Sequence, residues 1–165
     1  MKNWIKAILI ISIFGFLAAA PTVQARAAGV DQLNAELLTR INSLRASQGV
    51  SPLSMDASLC VLADTRSVEA ATKWSHTRPN GTDGCDMIPA NKWRGENLSY
   101  VVFGGFGYSE QEQQEAAEVM FRNLVASPSH YDNMIFGQFT KIGIRTSVVD
   151  TGGGVRLTTA YMFSN

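Results

Sequence analysis

Histidine and cysteine are the scarcest chemistry-bearing residues in this chain, with two of each in 165 residues. Two cysteines exclude a disulfide-dense scaffold, and their spacing excludes a Cys-x-x-Cys redox motif. Lysine and arginine form no cluster, which argues against nucleic acid as a partner and leaves no polybasic patch for anionic lipid. There is no Gly-x-Ser-x-Gly nucleophile elbow, no internal repeat and no low-complexity tract. Beyond residue 20 no apolar run is long enough to span a bilayer.

The N-terminus has its own composition. Lys2 and Lys6 precede an uncharged, largely apolar run from Ala7 to Ala20, and Pro21 and small residues follow. That is the three-part pattern of a secretory signal peptide over residues 1–27, with small-x-small cleavage points after Ala27 or Ala25. The competing reading, an uncleaved membrane anchor, is disfavoured because 14 apolar residues fall short of the roughly 20 a span needs. Cleavage after Ala27 leaves a mature chain of residues 28–165 without Lys2, Lys6 and Arg26. Its 11 basic and 14 acidic side chains give a net charge of −3. The expected location is extracytoplasmic, with no membrane span once the signal is removed.

Export places Cys60 and Cys85 in a disulfide-permissive compartment. A bridge between them is expected; two unpaired thiols, one buried, are the alternative. The bridge would close a loop containing His76 and contribute about 3.5 kcal/mol on the chain-entropy account.

Along the mature chain, Leu33, Leu37, Ile41 and Leu44 recur at helical spacing, so a helix is predicted from Asp31 to Gln48, stopped by Gly49. A second helix is predicted from Asp56 or Ala57 to about Trp74, with Asp56 as N-cap and Leu59, Leu62, Ala63, Ala70 and Trp74 inward. Residues 75–95 read as an anchored loop with several turns. A short strand is predicted from Leu98 to Phe103. Ser109 and Glu112 then form a capping box that opens a helix to about Val125. Lys141 to Val149 and Val155 to Phe163 read as a β-hairpin. The order of elements is that of a single α+β domain.

Four stretches, in order, carry a resemblance to a known family. They are Arg40-Ile41-Asn42-Ser43-Leu44-Arg45 with Ser51-Pro52-Leu53; Ser75-His76-Thr77-Arg78-Pro79-Asn80-Gly81; Gly95-Glu96-Asn97-Leu98; and Ser127-Pro128-Ser129-His130 with Asn133 and Phe139-Thr140-Lys141-Ile142-Gly143. Over residues 31–163 the chain resembles the CAP superfamily of cysteine-rich secretory, antigen 5 and pathogenesis-related proteins (the SCP domain), and its bacterial branch in particular. The resemblance implies an α-β-α sandwich with a small antiparallel sheet between helical layers. It also implies a cleft lined by two histidines and two carboxylates. By motif these fall on His76, Glu96 and His130, while the fourth position, an acid at Leu124-Val125-Ala126-Ser127, finds no match. Asp86, Glu118 and Asp132 are candidates to replace it.

Two imidazoles and a carboxylate can hold zinc or another divalent metal and leave a position for water. His76, Glu96 and His130 are therefore both the candidate metal ligands and the candidate catalytic residues. The alternative for the three is a hydrogen-bonded polar network at a junction of loops. No cofactor is required by the sequence, and no reaction is assigned by it. Arg78, Arg94, Asn97 and Tyr100 are candidate cleft residues; for the two arginines a solvated surface position is the alternative, and for Asn97 a backbone-bonding one. Tyr100, Phe103, Phe106 and Tyr108 form either a strand end folded onto the core or an adhesive rim. The expected function is an exported binding module for a small apolar, lipid or carbohydrate ligand or a protein partner. A metal-dependent extracellular hydrolase and a structural cell-envelope protein are the alternatives.

Overall fold

A computed structural model describes residues 29–165, so the expected signal peptide and its cleavage points lie outside the described residues. Nine elements follow in order. They are α1 (Asp31–Ser47), β1 (Ser54–Met55), α2 (Ala57–Thr72), a 3-10 turn (Gly84–Met87), β2 (Arg94–Phe103), α3 (Glu110–Val125), α4 (Pro128–Ile135), β3 (Lys141–Asp150) and β4 (Val155–Ser164). The four strands form one sheet in the order β1-β3-β4-β2. β4 is antiparallel to both of its neighbours, and β1 adds a two-residue parallel edge to β3.

Strand alternation divides the core between two faces. On one face Leu157, Tyr161 and Phe163 of β4 meet Leu33, Leu37 and Ile41 of α1, Ala116 and Met120 of α3, and Met134 of α4. On the other, Ala160 and Met162 meet Leu59, Ala63 and Ala70 of α2, with Ile88 and Leu98 completing a smaller cluster. The result is the α-β-α sandwich that the motif order implies. α2 approaches β3 so closely that a Cβ at Gly143 would overlap the Leu59 carbonyl and the Cys60 nitrogen. Only glycine permits that approach.

Both expected helix starts are made by side-chain capping. Asp56 accepts from the backbone of Ser58 and Leu59, and Ser109 and Glu112 close a reciprocal box. Two expectations need correction, and one helix adds to the predicted elements. α2 ends at Thr72, so Trp74 is not part of its inward stripe but stands 47 % exposed beside Tyr100. β2 begins at Arg94 rather than Leu98, because Gly95 allows the strand to pass close to Phe139 and Asn133. Residues 128–135 form α4, a two-turn helix begun by Pro128 at its first position.

The expected Cys60–Cys85 disulfide is also corrected: both residues are free thiols. Cys60 is buried on α2 where that helix crosses Gly143 of β3, beside a small cavity lined by Val61 and Arg145. Cys85 sits in the 3-10 turn, near Asp83 and Glu96 on the β2 side, where burial pushes its thiol up to about 12. The two thiols lie against different strands, Cys60 at β3 and Cys85 near Glu96 of β2. A reductant such as dithiothreitol should therefore leave the melting temperature unchanged. A fall of several degrees would restore the bridge.

Arg45 pins the α1 layer together. Its buried guanidinium donates to the carbonyls of Ser51, Met134, Phe136 and Phe139, tying the end of α1 to the segment after α4. Four acceptors lose a charged donor if it is removed, and each such bond is worth about 1.5–3 kcal/mol. Arg45→Met should lower the unfolding free energy in urea by about 3 kcal/mol or more; a loss below 1 kcal/mol would contradict the pinning role.

Candidate functional site

The site is built by adjacent residues of β2 that face opposite ways. Glu96 projects toward α2 and Asn97 toward α4, as alternation on a strand requires. Glu96 accepts from Arg66 Nε at 2.6 Å and Nη2 at 3.2 Å, and its Oε1 lies 2.7 Å from His76 Nδ1. Asn97 Nδ2 donates to the carbonyl of His130 at 2.9 Å, and Asn133 Nδ2 donates to Asn97 Oδ1 at 2.9 Å. One histidine therefore arrives from the α2 face and the other from the α4 face. They meet around the outer edge of β2, with ring centroids 6.2 Å apart and planes inclined by 49°.

Behind Glu96 lies a network centred on Arg66 and Glu69, neither of which the sequence motifs single out. Arg66 Nη1 donates to Glu69 Oε2 at 2.6 Å, and Arg66 Nη2 donates to the Ser75 carbonyl at 3.0 Å. Arg78 closes on the same Glu69 carboxylate through Nε at 3.1 Å and Nη2 at 2.9 Å. Two guanidinium groups and two carboxylates thus balance. Burial alone would lower Arg66, but its hydrogen bonds to Glu96 and Glu69 outweigh that and raise its pKa. Burial would likewise raise Glu69, yet Arg78 and Arg66 hold it below the ordinary carboxylate range. Gly84 is part of the cradle, since a Cβ there would collide with the Glu96 carboxylate. The sequence does carry a signal for Arg66: it falls on the inward stripe of α2, between Ala63 and Ala70, where a charge needs a buried partner.

The remaining candidates are placed as follows. Arg78 is spent on Glu69, and Arg94 pairs with Asp86 at 3.1 Å. Asn97 is buried in the His130 clamp, and Tyr100 stands 44 % exposed on β2. Of the proposed replacement acids, Asp86 also belongs to the 3-10 capping box, Glu118 pairs with Arg40 and Arg122, and Asp132 is exposed on α4. The aromatic stretch divides: Phe106 is buried, Phe103 packs on the core, and Tyr100 belongs to the surface.

His76, Glu96 and His130 are the set expected as a three-ligand metal centre. The residues converge, but Glu96 is committed to Arg66 and His76. Among the described residues no group of three His, Cys, Asp or Glu side chains is arranged to hold an ion. No serine hydroxyl among the described residues bonds to either imidazole, and Ser75 Oγ instead accepts from the Thr77 backbone.

Beside His130 a groove of about 580 Å³ runs along β2 from Leu98 to Phe103. Trp74 stands on one side of it, and Val119, Asn123 and Leu124 of α3 on the other.

Comparison with known proteins agrees with this architecture. Residues 38–162 match the cysteine-rich secretory protein (CAP) family. The chain belongs to the CAP family. Its fold is similar to that of an outer surface protein of Borrelia burgdorferi, at 18% identity and a TM-score of 0.61, covering 82% of this chain and 94% of that one. It is also similar to a cysteine-rich secretory protein of Staphylococcus aureus, at 18% identity and a TM-score of 0.53, covering 80% of this chain and 38% of the other. A third similarity is to the manganese-bound protein Ac-ASP-7, at 12% identity and a TM-score of 0.51, covering 82% and 73%. No curated protein matches the chain by sequence. These CAP relatives include outer-surface and secretory proteins, and no described helix of this one is long and apolar enough to cross a membrane.

The two histidines differ electrostatically. The Glu96 hydrogen bond raises the pKa of His76, against its partial burial, whereas burial and the neighbouring His76 lower that of His130. The fold therefore favours protonated His76, a stabilisation complete below the unfolded value near 6.5 and lost as pH rises through the raised folded value. It favours neutral His130, a stabilisation present above about 6.5 and lost as pH falls through the lowered folded value. NMR titration of the ring protons should show His130 losing its proton before His76 as pH rises. The reverse order would contradict the Glu96–His76 bond.

Proposed function

We propose that this CAP protein is an extracytoplasmic binding module whose ligand lies in the groove along β2, with the two imidazoles at one end of it. The observation that carries the reading is the groove itself. It is largely apolar and opens onto His130, while the one carboxylate of the cluster is buried and turned away into Arg66. A carboxylate serves as a general acid or base only when it lies within hydrogen-bond reach of the substrate. Three hydrogen bonds from Arg66 and His76 occupy Glu96, which favours binding over hydrolysis.

A divalent cation fits this reading as an accessory. Metal–nitrogen bonds of about 2.0–2.1 Å allow two imidazoles whose centroids are 6.2 Å apart to share one ion. His76 would use Nε2, because Nδ1 is held by Glu96. A carboxylate on the far nitrogen orients and strengthens a histidine ligand. Water would complete the coordination, and the ion would supply a charged anchor at the groove's end. Two imidazoles suit zinc better than the harder manganese ion, which prefers oxygen ligands; they do not suit a three-ligand hydrolytic centre.

Two measurements test the two parts. The dye 8-anilinonaphthalene-1-sulfonate should fluoresce on binding the folded protein, and Trp74→Ala should reduce that signal at least twofold. Unchanged fluorescence in the variant would remove the groove as the binding site. In calorimetry, zinc or manganese chloride should give heat at one ion per chain that vanishes in His76→Ala/His130→Ala. Glu96→Gln should weaken the ion about tenfold. Heat independent of the histidines, or none, would remove the cation.

A further inference from the structure

Among the described residues, β2 lies at the edge of the sheet and pairs with β4 alone along its ten residues. In an antiparallel ladder, alternate residues turn their N–H and C=O toward the neighbouring strand and the residues between turn theirs outward. Asn133 Nδ2, reaching in from α4, donates to the Glu96 carbonyl at 3.3 Å, which sets the even-numbered residues on the outer side. Outside the ladder, no hydrogen bond among the described residues reaches the backbone of Leu98, Tyr100 or Val102. Three successive outward amides and carbonyls are left open.

Proteins ordinarily protect such an edge with proline, lysine, inward charge or a bulge. From Asn97 to Phe103 this strand has no proline and no charged residue, and it pairs with β4 in unbroken register. The six residues Leu98 to Phe103 extend about 20 Å at ~3.4 Å each. Their edge is the floor of the groove, walled by Trp74 and by α3.

One cation stands against two of the residues that line the groove. Arg156, in register with Val102, places its guanidinium carbon 4.4 Å from the Tyr100 ring centroid and 5.9 Å from that of Trp74. It forms no ion pair among the described residues, and its Nε has no hydrogen-bond partner. A cation on an apolar rim, without an acid of its own, complements a negatively charged side chain on whatever enters.

We propose that the outer edge of β2 binds an extended polypeptide segment as an added strand, with an acidic side chain of that segment meeting Arg156. This rests on the binding-module reading above and names its partner class. An alkyl chain satisfies none of the open backbone groups, whereas a strand satisfies all of them. A second copy of this chain carries the same edge at the floor of the same walled groove, so two such edges cannot meet squarely.

The test is selection of a displayed library of linear decapeptides on the purified protein. Enriched peptides should alternate apolar residues and carry an acid at a fixed place. Val102→Pro removes one outward N–H without touching the β4 ladder and should weaken these peptides at least tenfold. Arg156→Gln should abolish the preference for the acid. The same peptides N-methylated at alternate backbone nitrogens should fail on the unaltered protein, which covers a folding defect in the proline variant. In the complex, hydrogen exchange of the Leu98, Tyr100 and Val102 amides should slow.

Absence of enrichment, or peptides indifferent to both Val102→Pro and N-methylation, would overturn strand addition. A concentration-dependent dimer in sedimentation, lost in Val102→Pro, would overturn it in favour of a second copy. Dye binding and zinc heat that persist while peptides fail would sink strand addition alone and leave the binding module standing.

Discussion

The buried ion pair between Arg66 and Glu96 is the interaction on which the rest of the site depends. Both side chains are about 1 % exposed. Desolvating two charges is expensive, and such a pair contributes little net stability over well-packed apolar residues. Breaking it is another matter, because an unpaired charge would remain buried at a cost of several kcal/mol. Its consequence here is positional. Arg66 holds Glu96 from behind, holds the Ser75 carbonyl beside His76, and reaches Glu69, which in turn holds Arg78 two residues beyond His76. The loop carrying the first histidine is thus fixed by a balanced set of charges on α2 and β2. The second histidine is fixed from the opposite face by the neutral Asn97–Asn133 amides.

That division explains the Glu96-Asn97 dipeptide. A strand shows successive side chains to opposite faces, so one adjacent pair can organise both helical layers at once. The histidines then meet where the layers close around the strand's outer edge. A site at a sheet edge differs from one in a barrel or between domains, since its floor is unsatisfied backbone. The same constraint that brings the imidazoles together therefore leaves Leu98, Tyr100 and Val102 open along the groove.

Much of this was legible in the sequence, and unevenly. Amphipathic spacing located α1, α2 and α3, and the capping residues Asp56 and Ser109 located two of their starts. Motif order gave the convergence of His76, Glu96 and His130, which separations of 20 and 34 residues along the chain could not. What stayed hidden depended on contacts between distant residues. Glycine at 95 reads locally as a strand breaker, yet Phe139 and Asn133 need the space a side chain would fill. The two cysteines are even in number and exported by expectation, but they sit on parts of the α2 layer that face different strands. Arg66 belongs to no motif, and its place on an apolar stripe is the clearest local sign of a buried carboxylate partner.

The absent fourth acid acquires a physical reading from this arrangement. At Leu124 and Ser127, where the resemblance implies a carboxylate near His130, the chain instead supplies part of the groove wall. A carboxylate there would be drawn toward the imidazoles and would charge the end of an apolar groove. With leucine and serine in its place, Glu96 is the one acid among the described residues that is hydrogen-bonded to either imidazole, and that acid is neutralised by Arg66 before it reaches solvent. The groove's end therefore presents imidazole, hydroxyl and apolar side chains rather than a second carboxylate. Under the proposed strand addition, the negative charge the groove lacks would come from the added segment, where Arg156 lies over Tyr100 without an acid partner among the described residues.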